Sequence, residues 1–321
     1  MVIKTPNNFC IENEIYVFHN ILYNGDEIIV INNPRPDYDF EIDKILEIYI
    51  DGVKLRNTYF LKEDGDGGFC ILKYRCPFKN EQLNVHVKYK NKEKNFLLKN
   101  DFKEIIGKYA ITTLFKNDQA YLPIYVDYYY NLGVRVFVLY FNDDISNLKI
   151  EESNIPIDVT LIIYEWNYKY MMGSVHLSQM SALNNSVYCL KDRIEYLINA
   201  DFDEYIFLNG GNLEEAEGEI ISKFSYFGID YTPENFKKAI LEECFYTAVE
   251  DPAETSRAKW MYKNDSNLLA GTVHEAKVKK IKKNKRQGIF IAHFASLSHN
   301  DRVGWVKERI DNSPNIKMKL K

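Results

Sequence analysis

Residues 198–207 read Ile-Asn-Ala-Asp-Phe-Asp-Glu-Tyr-Ile-Phe, placing the carboxylates of Asp201, Asp203 and Glu204 in four positions between two apolar runs. An unpaired carboxylate is costly to bury, so a strand does not carry three of them for packing. The pattern predicts two strands flanking an acidic turn. At a strand end, Asp201-x-Asp203 projects two oxygen ligands suited to a hard divalent cation. Such a cation neutralises a diphosphate and makes it a workable leaving group. An exposed acidic turn or hairpin is the alternative reading of the same residues.

Outward from this turn, the second part of the chain alternates strands and helices. Residues 109–115 (YAITTLF) form an apolar run of buried-strand type. Tyr121, Ile124, Tyr125, Tyr128 and Leu132 then recur three or four apart, which predicts an amphipathic helix over 118–132 ended by Gly133. Strands are expected at 134–141 and 157–164, a helix over 174–192, and strands at 195–199 and 205–208. Strand, helix, strand in succession implies an α/β fold with a mostly parallel sheet under helical covers. Such sheets bind ligands at the carboxyl ends of their strands.

Residues 1–104 have a different rhythm. Short β-branched or aromatic runs at 15–19, 27–33, 45–51, 69–74, 83–89 and 95–98 are separated by turn signals such as Asn24-Gly25-Asp26 and Asp51-Gly52. This spacing predicts an antiparallel β-sandwich. The expected domains are therefore a sandwich over 1–104, an accessory and carbohydrate-binding candidate, and a catalytic domain over 105–321. Deleting 1–104 is expected to weaken acceptor use and leave donor hydrolysis intact.

The 24 Tyr and 19 Phe suit strand surfaces and sugar-stacking faces, and equally an AT-rich coding sequence. A net charge of −5 does not suit a protein that coats nucleic acid. Residues 277–286 (KVKKIKKNKR) concentrate positive charge, which suits a solvated loop, anionic lipid heads, or the diphosphate of a donor or lipid-linked acceptor. Cys10, Cys70, Cys76, Cys189 and Cys244 are scattered, which argues against a disulfide framework or structural zinc. With no apolar leader in MVIKTPNNFC and no run of transmembrane length, the expectation is a cytoplasmic protein, in peripheral contact with the inner membrane if it works there.

Several short motifs in order give the second part a family likeness. Lys116-Asn117-Asp118 ends the first strand, followed by Tyr121-Leu122, Val126, Tyr128 and Leu132-Gly133-Val134. Gln179, Ala182, Asn184, Cys189 and Tyr196 lead to Asp201-Phe202-Asp203-Glu204-Tyr205, and Lys259, His274 and His293-Phe294 follow. Residues 109–310 thereby resemble glycosyltransferase family 92 and related family-2-like glycosyltransferases, which have a GT-A fold. The chain departs from the family pattern at Ile124, Tyr125 and Tyr129, where Glu, Trp and His are expected.

The resemblance implies an inverting, nucleotide-sugar-dependent enzyme, with a UDP-sugar the favoured donor and a glycan or lipid-linked glycan the acceptor. Asp203 is then expected to ligate Mn2+ or Mg2+, with Asp201 touching the metal or donor and His293 a third ligand. Asn117, Asp118, Asp143, Gln179 and Asn184 become candidate donor contacts. Lys259 is a candidate for steadying the diphosphate, and His274 for the metal or acceptor. The catalytic base is expected among Glu242, Glu243 and Asp251. A metal-dependent phosphotransferase and a non-catalytic carbohydrate-binding protein are the alternatives; neither a P-loop nor GxGxxG is present.

Overall fold

A computed structural model describes residues 1–5, 20–32, 42–63, 69–100, 102–116, 118–166, 175–208, 210–220, 223–226, 232–241, 248–250, 258–284 and 289–294. The first part contains strands β1 (Val2–Thr5), β2 (Asn20–Tyr23) and β3 (Glu27–Asn32), a one-turn helix α1 (Ile42–Ile45), then β4 (Leu46–Ile50), β5 (Val53–Lys54), β6 (Asn57–Glu63), β7 (Phe69–Arg75), β8 (Gln82–Tyr89) and β9 (Lys92–Lys99). Two antiparallel sheets, β2-β3-β7-β6 and β5-β4-β8-β9, make up the expected sandwich. Ile28 and Val30 from one sheet share a core with Ile48, Val85 and Val87 from the other. The strand expected at 15–19 lies outside the described residues.

The second part continues with β10 (Gly107–Phe115), α2 (Leu122–Asn131), β11 (Val136–Phe141), β12 (Thr160–Glu165), α3 (Val175–Cys189), β13 (Ile194–Asn199) and β14 (Glu204–Leu208). Beyond these come β15 (Gly218–Ile220), β16 (Lys223–Tyr226), α4 (Pro233–Leu241), β17 (Ala248–Glu250), β18 (Lys259–Lys263), β19 (Leu268–Gly271), β20 (Ala276–Val278), β21 (Lys283–Asn284) and β22 (Ile289–Phe294). The main sheet has the order β1-β12-β11-β10-β13-β18-β15-β21. All its strands run the same way except β18, which is antiparallel to both neighbours. The mixed α/β, mostly parallel architecture is as expected. A smaller sheet, β14-β22-β16-β17, and the β19-β20 pair were not anticipated.

Two features correct the division at residue 104. Strand β1 pairs in parallel with β12, so the first residues belong to the main sheet rather than to the sandwich. The sandwich is also packed into the second part. Ile29, Ile31 and Ile71 point away from the sandwich core and join Leu183, Val187 and Leu190 at α3. This explains the unbroken apolar run Ile28-Ile29-Val30-Ile31: both faces of β3 are covered, as in a central strand.

Helix α3 is enclosed between the main sheet and the sandwich, so its polar residues need partners rather than water. A buried chain of hydrogen bonds supplies them. Asn20 Nδ2 donates to Asn185 Oδ1 at 2.6 Å, and Asn185 Nδ2 to the Tyr140 hydroxyl at 2.9 Å. The Ser186 hydroxyl lies 2.7 Å from both the Tyr140 and the Thr112 hydroxyls. The chain runs from the sandwich through α3 to β10 and β11 of the main sheet.

On the opposite face, α2 starts with a proline in its first turn, where a missing N–H costs nothing, and ends before Gly133 at φ +97°. Its Tyr125 and Tyr129 are fully buried against the sheet. Among the described residues, no helix is long and apolar enough to cross a membrane. Cys70, Cys76 and Cys189 are buried; Cys10 and Cys244 lie outside the described residues.

Candidate functional site

The chain reverses its direction of travel across the sheet between β10 and β13. β11 and β12 lie to one side of β10, and β13 lies to the other. In open α/β sheets such a point leaves a crevice at the carboxyl ends of the strands, where ligands bind. Here the residues after β10 and after β13 are Lys116–Asp118 and Ala200–Glu204, so topology alone brings Asp118 to the acidic turn.

The turn is held from below. Phe202 points inward and stacks on Phe115 at 5.2 Å and on Tyr125 at 4.9 Å between ring centres. That inward residue aims its two acidic neighbours away from the α2 core. Tyr129 donates to the Glu204 carbonyl at 2.9 Å, Tyr128 to the Ile206 carbonyl at 2.7 Å, and Tyr125 to the Ala200 carbonyl at 3.4 Å. Two of the positions where the chain departs from the family pattern are thus tyrosines that fasten the acidic turn.

The acids are not all exposed, as a simple acidic turn would have them. Asp203 is 5% exposed and Glu204 fully buried. Lys259, at the start of the reversed strand β18 and also fully buried, compensates the charge. Its Nζ lies 2.6 Å from Asp201 Oδ2 and 3.3 Å from Glu204 Oε2. Burial alone pushes an ammonium toward its neutral form; Asp201 and Glu204 more than reverse this and hold Lys259 above its ordinary value. The Asp201 N–H donates to Glu204 Oε2 at 2.9 Å, closing the turn on itself.

This geometry bears on two expectations. Lys259 is locked inside an ion pair, without the exposure needed to touch a diphosphate. Asp201 Oδ2 is committed to that lysine, so Asp201 serves the turn's internal charge balance rather than acting as a metal ligand through that oxygen.

Asp203 has a different neighbour. Glu204 pairs with His293 across β14 and β22, and His293 Nε2 reaches Asp203 Oδ2 at 3.2 Å. The Phe294 N–H donates to the Asp203 carbonyl at 2.7 Å, fixing the strand end. Asp118 is raised to about 6, first by burial and then by the nearby Asp203 charge. Among the described residues, no three His, Cys, Asp or Glu side chains form a group able to hold a metal ion. Of the three expected metal ligands, Asp203 and His293 lie against each other, one hard oxygen and one imidazole of the kinds a divalent cation takes.

The remaining expected contacts divide. Gln179, on α3, and Asp201 both line a small recess at the switch point, together with Thr113, Tyr140, Asn199 and Val273. Asp143 sits at the end of β11 and accepts the Asp144 N–H at 2.8 Å. Asn184 is not available as a donor contact. Its amide donates to the Met180 and Gly271 carbonyls at 2.8 and 3.1 Å, and its oxygen accepts the Gly271 N–H at 3.0 Å. It anchors β19, where a Cβ on Gly271 would meet the Trp260 ring at 2.5 Å.

His274 Nδ1 lies 3.2 Å from the Ala258 carbonyl, and burial followed by the Lys259 charge lowers its pKa. It lies within electrostatic reach of Lys259, Asp201 and Glu204. Asn117, Glu242, Glu243 and Asp251 lie outside the described residues.

The residues that sequence reasoning missed are the tyrosines under the turn and the pairing of Lys259 with Glu204. A signal for the second was present: Ala258-Lys259-Trp260-Met261-Tyr262 sets one lysine in an otherwise apolar strand. A charge in that position implies a buried partner. Comparison with known protein families and with curated proteins finds no match to this chain.

Proposed function

We propose that this chain is a metal-dependent, inverting glycosyltransferase of GT-A type. On this reading it transfers a hexose-like sugar from a nucleoside diphosphate, a UDP-sugar being favoured, to a glycan hydroxyl in polysaccharide or glycoconjugate synthesis. The observation that carries the reading is the acidic turn at the switch point, with Asp203 against His293 and beside Asp118. The sequence motifs that resemble family 92 support it, as does a parallel sheet with one reversed strand next to β13.

Asp203 and His293 would hold Mn2+ or Mg2+, which supplies charge neutralisation to the leaving diphosphate. Lys259 holds Asp201 and Glu204 in place, so the turn is set before a donor arrives. Gln179 and Asp201 line the recess beside that seat. In the reaction the acceptor hydroxyl oxygen bonds to the anomeric carbon as the bond from that carbon to the diphosphate oxygen breaks. The electron pair leaves on the diphosphate, and the hydroxyl proton passes to a carboxylate. Glu242, Glu243 and Asp251 remain the candidates for that carboxylate.

Calorimetry of the full chain with UDP-, GDP-, CMP- and dTDP-sugars, each with Mn2+ and with EDTA, tests the reading. One nucleotide sugar should bind in a metal-dependent way, and Asp203→Asn should abolish that binding. No binding of any of them with any divalent cation would overturn the proposal. Metal-dependent release of phosphate without sugar transfer would replace it with the phosphotransferase alternative.

A further inference from the structure

Within the basic segment at 277–284, Lys279 and Lys280 lie toward the opposite end of the main sheet from the acidic turn. Strand β21 runs parallel to β15, and both run with β13. It is the start of the loop, where Lys279 and Lys280 bond Asn267 beyond the end of β18, that lies toward the amino ends. The acidic turn follows β13 at the carboxyl ends. The lysines at the start of this loop therefore lie apart from the acidic turn, whereas Lys283 in β21 is level with Asn199 across β15 and β18, and residues 285–286 lie outside the described residues.

The segment is held in shape. The Lys279 N–H donates to the Asn267 carbonyl at 3.0 Å, and the Lys280 N–H to Asn267 Oδ1 at 3.1 Å. The Lys282 carbonyl accepts the Tyr262 hydroxyl at 2.7 Å and the Glu219 N–H at 3.0 Å. Between these anchors Ile281 stands out, 68% exposed, with the exposed lysines 279, 280 and 282 around it. An isoleucine held in water between fixed backbone bonds gains nothing from the fold.

The charge extends beyond the loop. Lys191, at the foot of α3, feels both Lys73 of the sandwich and Lys279 of the loop. The basic surface thus draws on β7, the end of α3 and the β20–β21 connection. Acids offset most of the charge away from Lys279 and Lys280: Glu217 pairs with Lys282, Glu27 with Lys73, and Asp192 and Asp265 lie near Lys191.

We infer that this face docks on an anionic lipid surface, with Ile281 entering the headgroup layer and the surrounding lysines contacting lipid phosphates and carboxylates. An apolar residue ringed by lysines matches the interfacial pattern of apolar insertion with electrostatic attraction. A soluble polyanion would use the lysines and leave Ile281 without a role. Because the face lies at the amino ends of the strands, docking there turns the carboxyl-end recess away from the bilayer. The candidate site then faces material in solution rather than groups at the membrane plane. This inference stands independently of the proposed reaction.

Flotation of the full chain with vesicles of phosphatidylserine in phosphatidylcholine, against pure phosphatidylcholine, tests it. Binding should need phosphatidylserine and weaken with salt. Lys279→Gln with Lys280→Gln should lower affinity about 25-fold, at about fivefold per surface lysine. Ile281→Ser should weaken binding several-fold, and an Ile281→Trp fluorophore should shift to the blue on anionic vesicles. These side chains are exposed, so unchanged thermal melts establish that the variants are folded. Absence of binding to anionic vesicles at low salt would overturn the inference. So would binding that Ile281→Ser leaves unchanged, which marks a soluble polyanion as the ligand class.

Discussion

The ammonium of Lys259 lies 2.6 Å from the carboxylate of Asp201, at the point where a reversed strand meets the end of a parallel one. The lysine has no solvent exposure, and its second carboxylate, Glu204, has none either. An acidic turn that would repel itself in isolation is thereby made part of the core.

Lys259→Met should destabilise the protein by about 3–5 kcal/mol, because it removes the countercharge of the buried Glu204 carboxylate. Chemical denaturation measures this directly. Adding Glu204→Leu to the same chain should recover part of the loss, since the uncompensated charge is then gone. A loss under about 1 kcal/mol, the size of an exposed pair, would refute the buried-pair description.

Tyr129→Phe should cost about 0.5–1.5 kcal/mol, the usual net worth of one hydrogen bond. Its hydroxyl donates to the Glu204 carbonyl at 2.9 Å. Tyr125→Phe should cost less, because the corresponding bond to Ala200 is 3.4 Å long. Urea midpoints of the two variants give the order, and the reverse order would show that the turn hangs on Tyr125 instead.

Lys191 is lowered to about 8, first by burial, with Lys73 and Lys279 adding repulsion against the nearby Asp192 and Asp265. Its folded value lies below its unfolded one, so above pH 8 the folded chain has released a proton that the unfolded chain still holds. Stability from this residue therefore rises with pH from about 8 to about 10.4, the ordinary lysine value. Unfolding free energies of the wild type and Lys191→Met, compared across that window, should converge or cross as pH rises. Parallel curves would show an unshifted lysine.

Removal of residues 1–104 should yield a chain that does not fold cooperatively. It strips Leu22, Ile29, Ile31 and Ile71 from the core around α3, and it removes strand β1 from the main sheet. It also takes away Asn20, the partner of the buried Asn185. Calorimetric melting of residues 105–321 tests this; a sharp transition near that of the full chain would show an independent unit after all.

Much of the frame was legible in the sequence. The repeat of tyrosines and aliphatic residues over 121–132 marked α2, and the apolar runs marked β10, β11 and β13. The short runs of residues 27–98 marked most of the sandwich. Local periodicity reports which face of an element is buried, and here it reported correctly. Helix α3 was found, but its role was not. A helix covered on all sides carries Ser181, Asn184, Asn185 and Ser186 as satisfied core residues, and a sequence does not state which partners satisfy them.

By itself, then, the sequence determined most of the sandwich strands, α2, α3 and the strands from β10 to β14, the alternation that makes the main sheet mostly parallel, and the acidic turn between two apolar strands. Local propensity and hydrophobic period act over a few residues, and those features need nothing more. The tertiary structure decided which charges cancel. Lys259 is separated from Asp201 by 58 positions, and His293 is farther still from Asp203, so only the pairing of β18 with β13 and of β22 with β14 joins them. It also decided that β1 leaves the sandwich and that the sandwich seals α3. Those are outcomes of long-range strand pairing and shared burial, which no local window of residues contains.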